Sequence, residues 1–239
     1  MKALVFDTGP VISLTMNNLL WLLDPLKEIG KANFFITEQV KRELVDVPLN
    51  KTKRYKFEAL QVLHHIENGT LEVISNNILQ KDTLNLLSIA NNCFSAFGHN
   101  MTLVHEAEMS AIALYLQKKA DAFVVDERTT RLLVESPKKM RHILEHNLHT
   151  KVAENKDALK EFKKITKDVK IIRSVELATI SYEKGLLDKY IANMPNPRET
   201  LLESVLWGIK LNGCAVSKKE IERIIVEEGK NKMAKRNFP

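Results

Sequence analysis

Cysteine is nearly absent: Cys93 and Cys214 are the only two in 239 residues. Neither belongs to a metal-binding or redox spacing, which excludes a cysteine-built metal site or dithiol centre and predicts two buried free thiols. Glycine is sparse as well, with 8 in the chain, and there is no internal repeat or low-complexity segment. No apolar run approaches the roughly 20 residues that a membrane span needs. The first run, Ala3-Leu4-Val5-Phe6, meets Asp7 after four residues, too few for the core of a signal peptide. The expectation is a soluble, cytoplasmic protein with no membrane partner.

What is present is ordinary in amount and uneven in placement. Apolar residues make up 44% and charged residues 28%, enough for one large core with additions and for order nearly throughout. The net charge is +6, which favours a polyanionic partner. Between Ser136 and Arg173 stand eleven Lys or Arg against five Asp or Glu, an excess equal to that of the whole chain. This segment is a candidate phosphate-binding face, with a plain solvated helix surface equally open.

Short apolar runs recur between helical stretches, at Ala3–Phe6, Asn33–Ile36, Leu71–Ile74, Ala122–Val125 and Val169–Ile172. Strands alternating with helices predict an α/β fold with a central parallel sheet. Helices are expected from Thr37, as cap, to about Val45, from about Thr52 to Glu67, from Asn77 to about Phe97 and from His105 to about Lys119. A basic helix follows Asp157, and three more lie near Val175–Gly185, Arg198–Leu211 and Ser217–Gly229, the last closed by its glycine. Lys230 to Pro239 reads as frayed and basic. Lys51, Lys53, Arg54 and Lys56 crowd a helix N-terminus, where cations oppose the dipole, which hints at a use elsewhere. The Leu19–Leu23 run reads as helix core rather than a partner surface. His142 and His146, four apart on a probable helix, lack a third ligand for a transition metal.

Two of the strands run directly into an aspartate, Asp7 and Asp126. In an open parallel sheet, ligands bind beyond the carboxyl ends of the strands, so these carboxylates can converge although far apart in sequence. Paired carboxylates without a neighbouring lysine suit a hard cation such as Mg2+ or Mn2+. Helical periodicity adds two glutamates. Val40, Leu44 and Val47 share one side with Glu43 at its edge and Glu38 nearly opposite. On the next acidic helix Met109, Ile112 and Leu116 form the stripe, Glu108 lies beside it, and Glu106 falls with Ser110 on the polar side. Residues two apart cannot face the same way, which favours Glu108 over Glu106 without closing the choice. Asp7-Thr8-Gly9 also spells an aspartic-protease triplet, but that architecture needs two copies on an all-β frame.

The segments Leu4–Leu14, Val40–Leu44, Glu106–Leu114 and Val124–Arg131 occur in an order and spacing that together resemble a PIN-domain ribonuclease of the VapC-like or archaeal kind. The resemblance implies a three-layer α/β/α, PIN-like nuclease domain over 1–190 with a helical insertion about 50–104. Residues 191–239 would form a C-terminal helical extension on the same core. It implies an acidic Mg2+ or Mn2+ site of Asp7, Glu43, Glu108 and Asp126 that hydrolyses single-stranded or structured RNA, with Thr8 supporting the metal-water network and Arg128 or Arg131 steadying the substrate phosphate. A homodimer and an antitoxin or RNA-processing partner are the associations it suggests. The alternative is a non-catalytic PIN-like module that binds RNA or protein.

Overall fold

A computed structural model describes residues 2–236, with side chains through 230. Its centre is a five-stranded sheet in the order β3-β2-β1-β6-β8, formed by β1 (Lys2–Phe6), β2 (Ala32–Thr37), β3 (Leu71–Ile74), β6 (Ala122–Val124) and β8 (Ile171–Ile172). Every pairing is parallel, with Val5 opposite Phe35 and Phe6 opposite Val124. Strands this short and apolar form because both faces are covered. Alternation along them sorts the core into two layers. Phe6, Phe34, Ile36 and Val124 point to one side, while Val5, Phe35, Phe123 and Val125 point to the other.

The first layer is closed by α1 (Thr8–Met16), α2 (Leu23–Gly30), α5 (Lys56–Glu67), α11 (Ser174–Glu183), α12 (Pro197–Leu211) and α13 (Lys218–Arg236). The Leu19–Leu23 run packs there, with Leu19, Leu20, Leu22 and Leu23 buried and Trp21 half-buried beneath the Lys189 ammonium at 3.5 Å. The second layer holds α6 (Gln80–Asn91), α7 (Glu106–Lys118), α8 (Arg128–Glu135), α9 (Pro137–Leu148) and α10 (Lys156–Thr166). This is a three-layer α/β/α fold. Leu201, Leu202, Leu206 and Ile209 of α12 and Ile221 of α13 lie in the same core as Phe6 and Val11. At Gly208 a Cβ would run into the Asn17 side chain, so the glycine lets α12 come close to the end of α1. No helix among the described residues is long and apolar enough to cross a membrane.

Several local expectations are corrected. The stretch from Asn77 to Phe97 is not one helix: α6 ends at Asn91, and Phe94–Ala96 is β4, paired antiparallel with β5 (His99–Asn100) and β7 (Ala153–Glu154) in a small second sheet. Cys93 and Phe94 are fully buried there, and that burial, invisible in local periodicity, overrides a helical pattern. Within the stretch 50–104, Leu71–Ile74 is the strand expected there and forms β3 of the main sheet. Helix α5 begins at Lys56 rather than Thr52. Gly229 does not close α13, which continues through it to Arg236; residues 237–239 of the supposed basic tail lie outside the described residues.

The helix capped by Thr37, whose Oγ1 accepts from Val40 N at 3.2 Å, does not end at Val45. It passes from α3 (Glu38–Lys41) through a π turn at Arg42–Asp46 into α4 (Val47–Lys51). The wider turn shifts the phase of the side chains, so that Leu44 and Val45 are both buried. Helix α7 has no polar side at Ser110: everything from Met109 to Tyr115 is buried. Ser110 is satisfied internally by the Thr37 hydroxyl at 2.8 Å and the Ala107 carbonyl at 2.8 Å. A hydroxyl is small enough to be buried once paired, which is why its polarity misleads.

Candidate active site

The strand order reverses between β1 and β6, and a crevice forms at such a switch point beyond the strand ends. Asp7 stands at this place. Its N–H donates to the Val124 carbonyl at 3.0 Å, carrying the β1–β6 ladder one residue past the strand. The side chain is 4% exposed, and its Oδ1 is buried without a hydrogen-bond partner. Burial, then the charges of Glu108 and Glu43, push its acid up to about 7. The Thr8 and Gly9 amides at the start of α1 offset part of that rise without closing a capping hydrogen bond.

Glu43 lies in the π turn, a device often found where a side chain must be re-aimed at a functional site. Its Oε2 accepts from the Thr8 hydroxyl at 2.7 Å. Burial raises its acid above the ordinary value, the Thr8 bond opposes the rise and the Glu108 charge adds to it. Glu108 is the third residue of α7, and its Oε2 accepts from the His105 N–H at 3.1 Å, closing the first turn of the helix. Glu108 is half-buried and its charge reaches both other acids, whereas Glu106 is exposed. Asp7, Glu43 and Glu108 are thus brought together, from a strand end, a π turn and a helix start.

Asp126 is close in the fold but engaged differently. It is 1% exposed. Its Oδ1 accepts from Ser174 N at 2.8 Å, and its Oδ2 accepts from the Ser13 hydroxyl at 2.7 Å and the Ser174 hydroxyl at 2.6 Å. Burial and the Asp126 charge push the neighbouring Cys214 thiol up to about 12, so this buried cysteine is an inert thiol. Gly9 separates the two aspartates: a Cβ there would meet Asp126 Cβ at 3.5 Å and Asp7 Oδ2 at 3.8 Å. Its hydrogen keeps that cleft open.

Of the two arginines, Arg128 begins α8 and is exposed. Arg131 is half-buried, with Nη2 3.4 Å from the Ala215 carbonyl, so its nearest partner belongs to the C-terminal segment. That segment is the part of the site hidden from sequence reasoning. Ala215 N donates to the Asp126 carbonyl at 3.0 Å, and Arg173 joins the Ala215 carbonyl at 3.1 Å, Glu176 at 2.6 Å and Glu220 at 3.0 Å. Burial works against the Arg173 charge, but the two glutamates outweigh it and hold the guanidinium above its usual range. Arg173→Ala should take the guanidinium from two carboxylates and a carbonyl, leaving them only their backbone and Arg131 partners, and lower stability by about 1.5–3 kcal/mol, read as a reduced urea midpoint; an unchanged midpoint would mean that this clamp holds nothing. The hint in sequence is Arg173-Ser174-Val175-Glu176, where a glutamate three residues after a helix cap closes a capping box.

Among the described residues no three His, Cys, Asp or Glu side chains stand already arranged around one metal ion. The donors nevertheless suit a hard divalent cation: three crowded carboxylates, one with a buried oxygen lacking any partner, beside a cleft left open by a glycine. A cation would offset the burial and the carboxylate repulsion that together raise the Asp7 acid.

A family model described as a PIN domain matches residues 3–136. The matched stretch runs from β1 through α8 and carries all four acids. No curated protein and no solved structure matches the chain. Spanning more than half of the sequence, the match shows that the chain belongs to the PIN-domain family.

Proposed function

We propose that the chain is a metal-dependent endoribonuclease, built on the nuclease-type fold that its PIN domain supplies. The observation that carries this reading is the buried, partnerless Oδ1 of Asp7 beside Glu43 and Glu108 at the switch point of the sheet. Crowding acids there costs stability unless a ligand uses them, and perturbed carboxylates in a cleft mark functional sites. Asp7, Glu43 and Glu108 would hold Mg2+ or Mn2+, which when bound supplies an activated water and stabilises charge on phosphodiester oxygens.

The chain's own residues prepare the site. Thr8 fixes one Glu43 oxygen by its hydroxyl, and the His105 amide fixes one Glu108 oxygen. Asp126 ties β6 to α1 and α11 through Ser13 and Ser174, holding the floor of the cleft at a fixed spacing. Exposed Arg128 is the cation available to a phosphate outside the acids, with Arg131 half-buried beside Ala215. The test is cleavage of a mixed pool of labelled single-stranded RNA with Mn2+, Mg2+ or EDTA. Metal-dependent cutting lost in Asp7→Asn would support the reading. Salt-sensitive RNA binding with no cutting under any metal would replace it with the non-catalytic RNA-binding module.

A further inference from the structure

Beside Glu43 opens a cavity of about 480 Å3, within the range of small-molecule sites. Ile12, Met16, Tyr55 and Leu211 give it apolar walls, and two carboxylates, Glu43, one of the three converging acids, and Glu58, form part of its lining, the loop cations standing outside it. These four apolar side chains are also exposed, Tyr55 at 54% and Leu211 at 76%, an apolar concentration that calls for an occupant. Tyr55 has φ 62° and ψ 20°, the left-handed region in which a bulky residue is an outlier, and such outliers cluster at ligand clamps. It sits within Lys51-Thr52-Lys53-Arg54-Tyr55-Lys56, where four cations in six residues are all exposed. An aromatic set among cations is the pattern that binds single-stranded nucleic acid, the ring stacking on a base and the cations following the phosphates.

We propose that this cavity and the Lys51–Lys56 loop form a base-binding subsite: one unpaired nucleobase of a single-stranded RNA enters the cavity, stacks on Tyr55, and so sets a neighbouring phosphate against the acids. The reading rests on the proposed nuclease function for the identity of the acids, and on the cavity and loop for the rest. The basic loop favours a polyanion over an apolar peptide. A single strand is the favoured occupant because drawing a base out of a duplex costs its pairing and stacking, a few kcal/mol. The loop also explains why cations gather at the start of α5 against its dipole: binding to phosphates outweighs the small local cost.

The experiment measures fluorescence anisotropy of labelled single-stranded RNA in EDTA, where no cleavage occurs, for the intact chain and its variants, together with cleavage in Mn2+. Tyr55→Ala should weaken binding about tenfold, the size of a single base-on-aromatic stack, while Tyr55→Trp restores it; because Tyr55 is exposed, both variants should retain the thermal midpoint of the parent. One abasic position walked along the strand should reproduce the loss at a single register in the parent and add nothing in Tyr55→Ala. Lys53→Ala with Arg54→Ala should reduce the slope of log affinity against log salt by about 0.7 for each phosphate that is no longer neutralised. Binding unaltered in Tyr55→Ala, or duplex RNA bound as tightly as single strands, would overturn the subsite. A parent that binds in this way and never cleaves would overturn the nuclease reading and leave the subsite standing. A parent that cleaves while Tyr55→Ala binds and cleaves unaltered would do the reverse.

Discussion

Asp7→Asn should lower RNA cleavage by about three orders of magnitude or more, the scale of removing one member of a catalytic set, without unfolding the chain. The asparagine keeps the shape of a side chain that is 4% exposed and removes the charge that a cation needs. It also removes a cost. The Asp7 carboxyl, ordinarily near 3.8, is pushed up to about 7 by burial first and then by Glu108 and Glu43. Below about pH 4 the group is protonated in folded and unfolded chains alike; between about 4 and 7 folding takes up a proton, so stability falls as pH rises. Above about 7 the full penalty applies, and a displacement of about 3 pH units corresponds to about 4 kcal/mol.

The sign is therefore opposite to that of an ion-paired carboxylate. In EDTA the parent should be less stable at pH 8 than at pH 5, and Asp7→Asn should lose most of that difference and exceed the parent at pH 8. Mn2+ should restore the parent at pH 8 by mass action and do little for the variant. At limiting metal, cleavage should rise with pH through about 7, as the proton leaves the carboxylate that the ion requires. Urea midpoints for both proteins at two pH values, with and without Mn2+, check each part. Equal stability of parent and variant at both pH values would show that the crowded carboxylate carries no such penalty.

The sheet and the first aspartate were legible because the physics there is local. A parallel strand covered on both faces must be a short apolar run, and a carboxylate at its end must fall at the carboxyl edge of the sheet. Glu108 followed from counting turns along α7. The same counting misplaced Ser110, because a fully buried helix has no polar side for a small hydroxyl to mark. At Glu43 the π turn changes the helical phase, and a sequence does not announce the extra residue. Phe94 turned from helix to strand because a distant partner, β7, pairs with it. The least legible part was the clamp of Ser174, Arg173 and Ala215, whose long-range partners lie 42 to 89 residues apart. Spacing along the chain carries no trace of such a contact. Tyr55 and its cations could be noticed in sequence, but the cavity they border, next to Glu43, could not.

Asp126→Ala should cost the chain about 3–5 kcal/mol, the scale of leaving a buried polar network without its charged member, and should lower thermal stability more than any substitution at Asp7. The reason is what surrounds the carboxylate. One amide and two hydroxyls converge on two oxygens in a place that is 1% exposed, and bonds to an ionised acceptor are about twice as strong as neutral ones. Through them α1, the end of β6 and the start of α11 are held at one point, and the Ala215 amide on the Asp126 carbonyl fastens the C-terminal segment to it. Asp126→Asn should cost less, about 1–3 kcal/mol, since serine hydroxyls rotate to accept as well as donate. Ser174→Ala should fall in the same range and be non-additive with it, because the two share a bond. Cleavage measured well below each midpoint then separates positioning from ligation. If Asp126 acts by holding the cleft, Asp126→Asn and Ser174→Ala should lose activity together, in proportion to their loss of stability. Loss of cleavage in Asp126→Asn as deep as in Asp7→Asn, with stability unchanged and Ser174→Ala fully active, would place the Asp126 carboxylate on the ion and show that its serine contacts give way when metal binds.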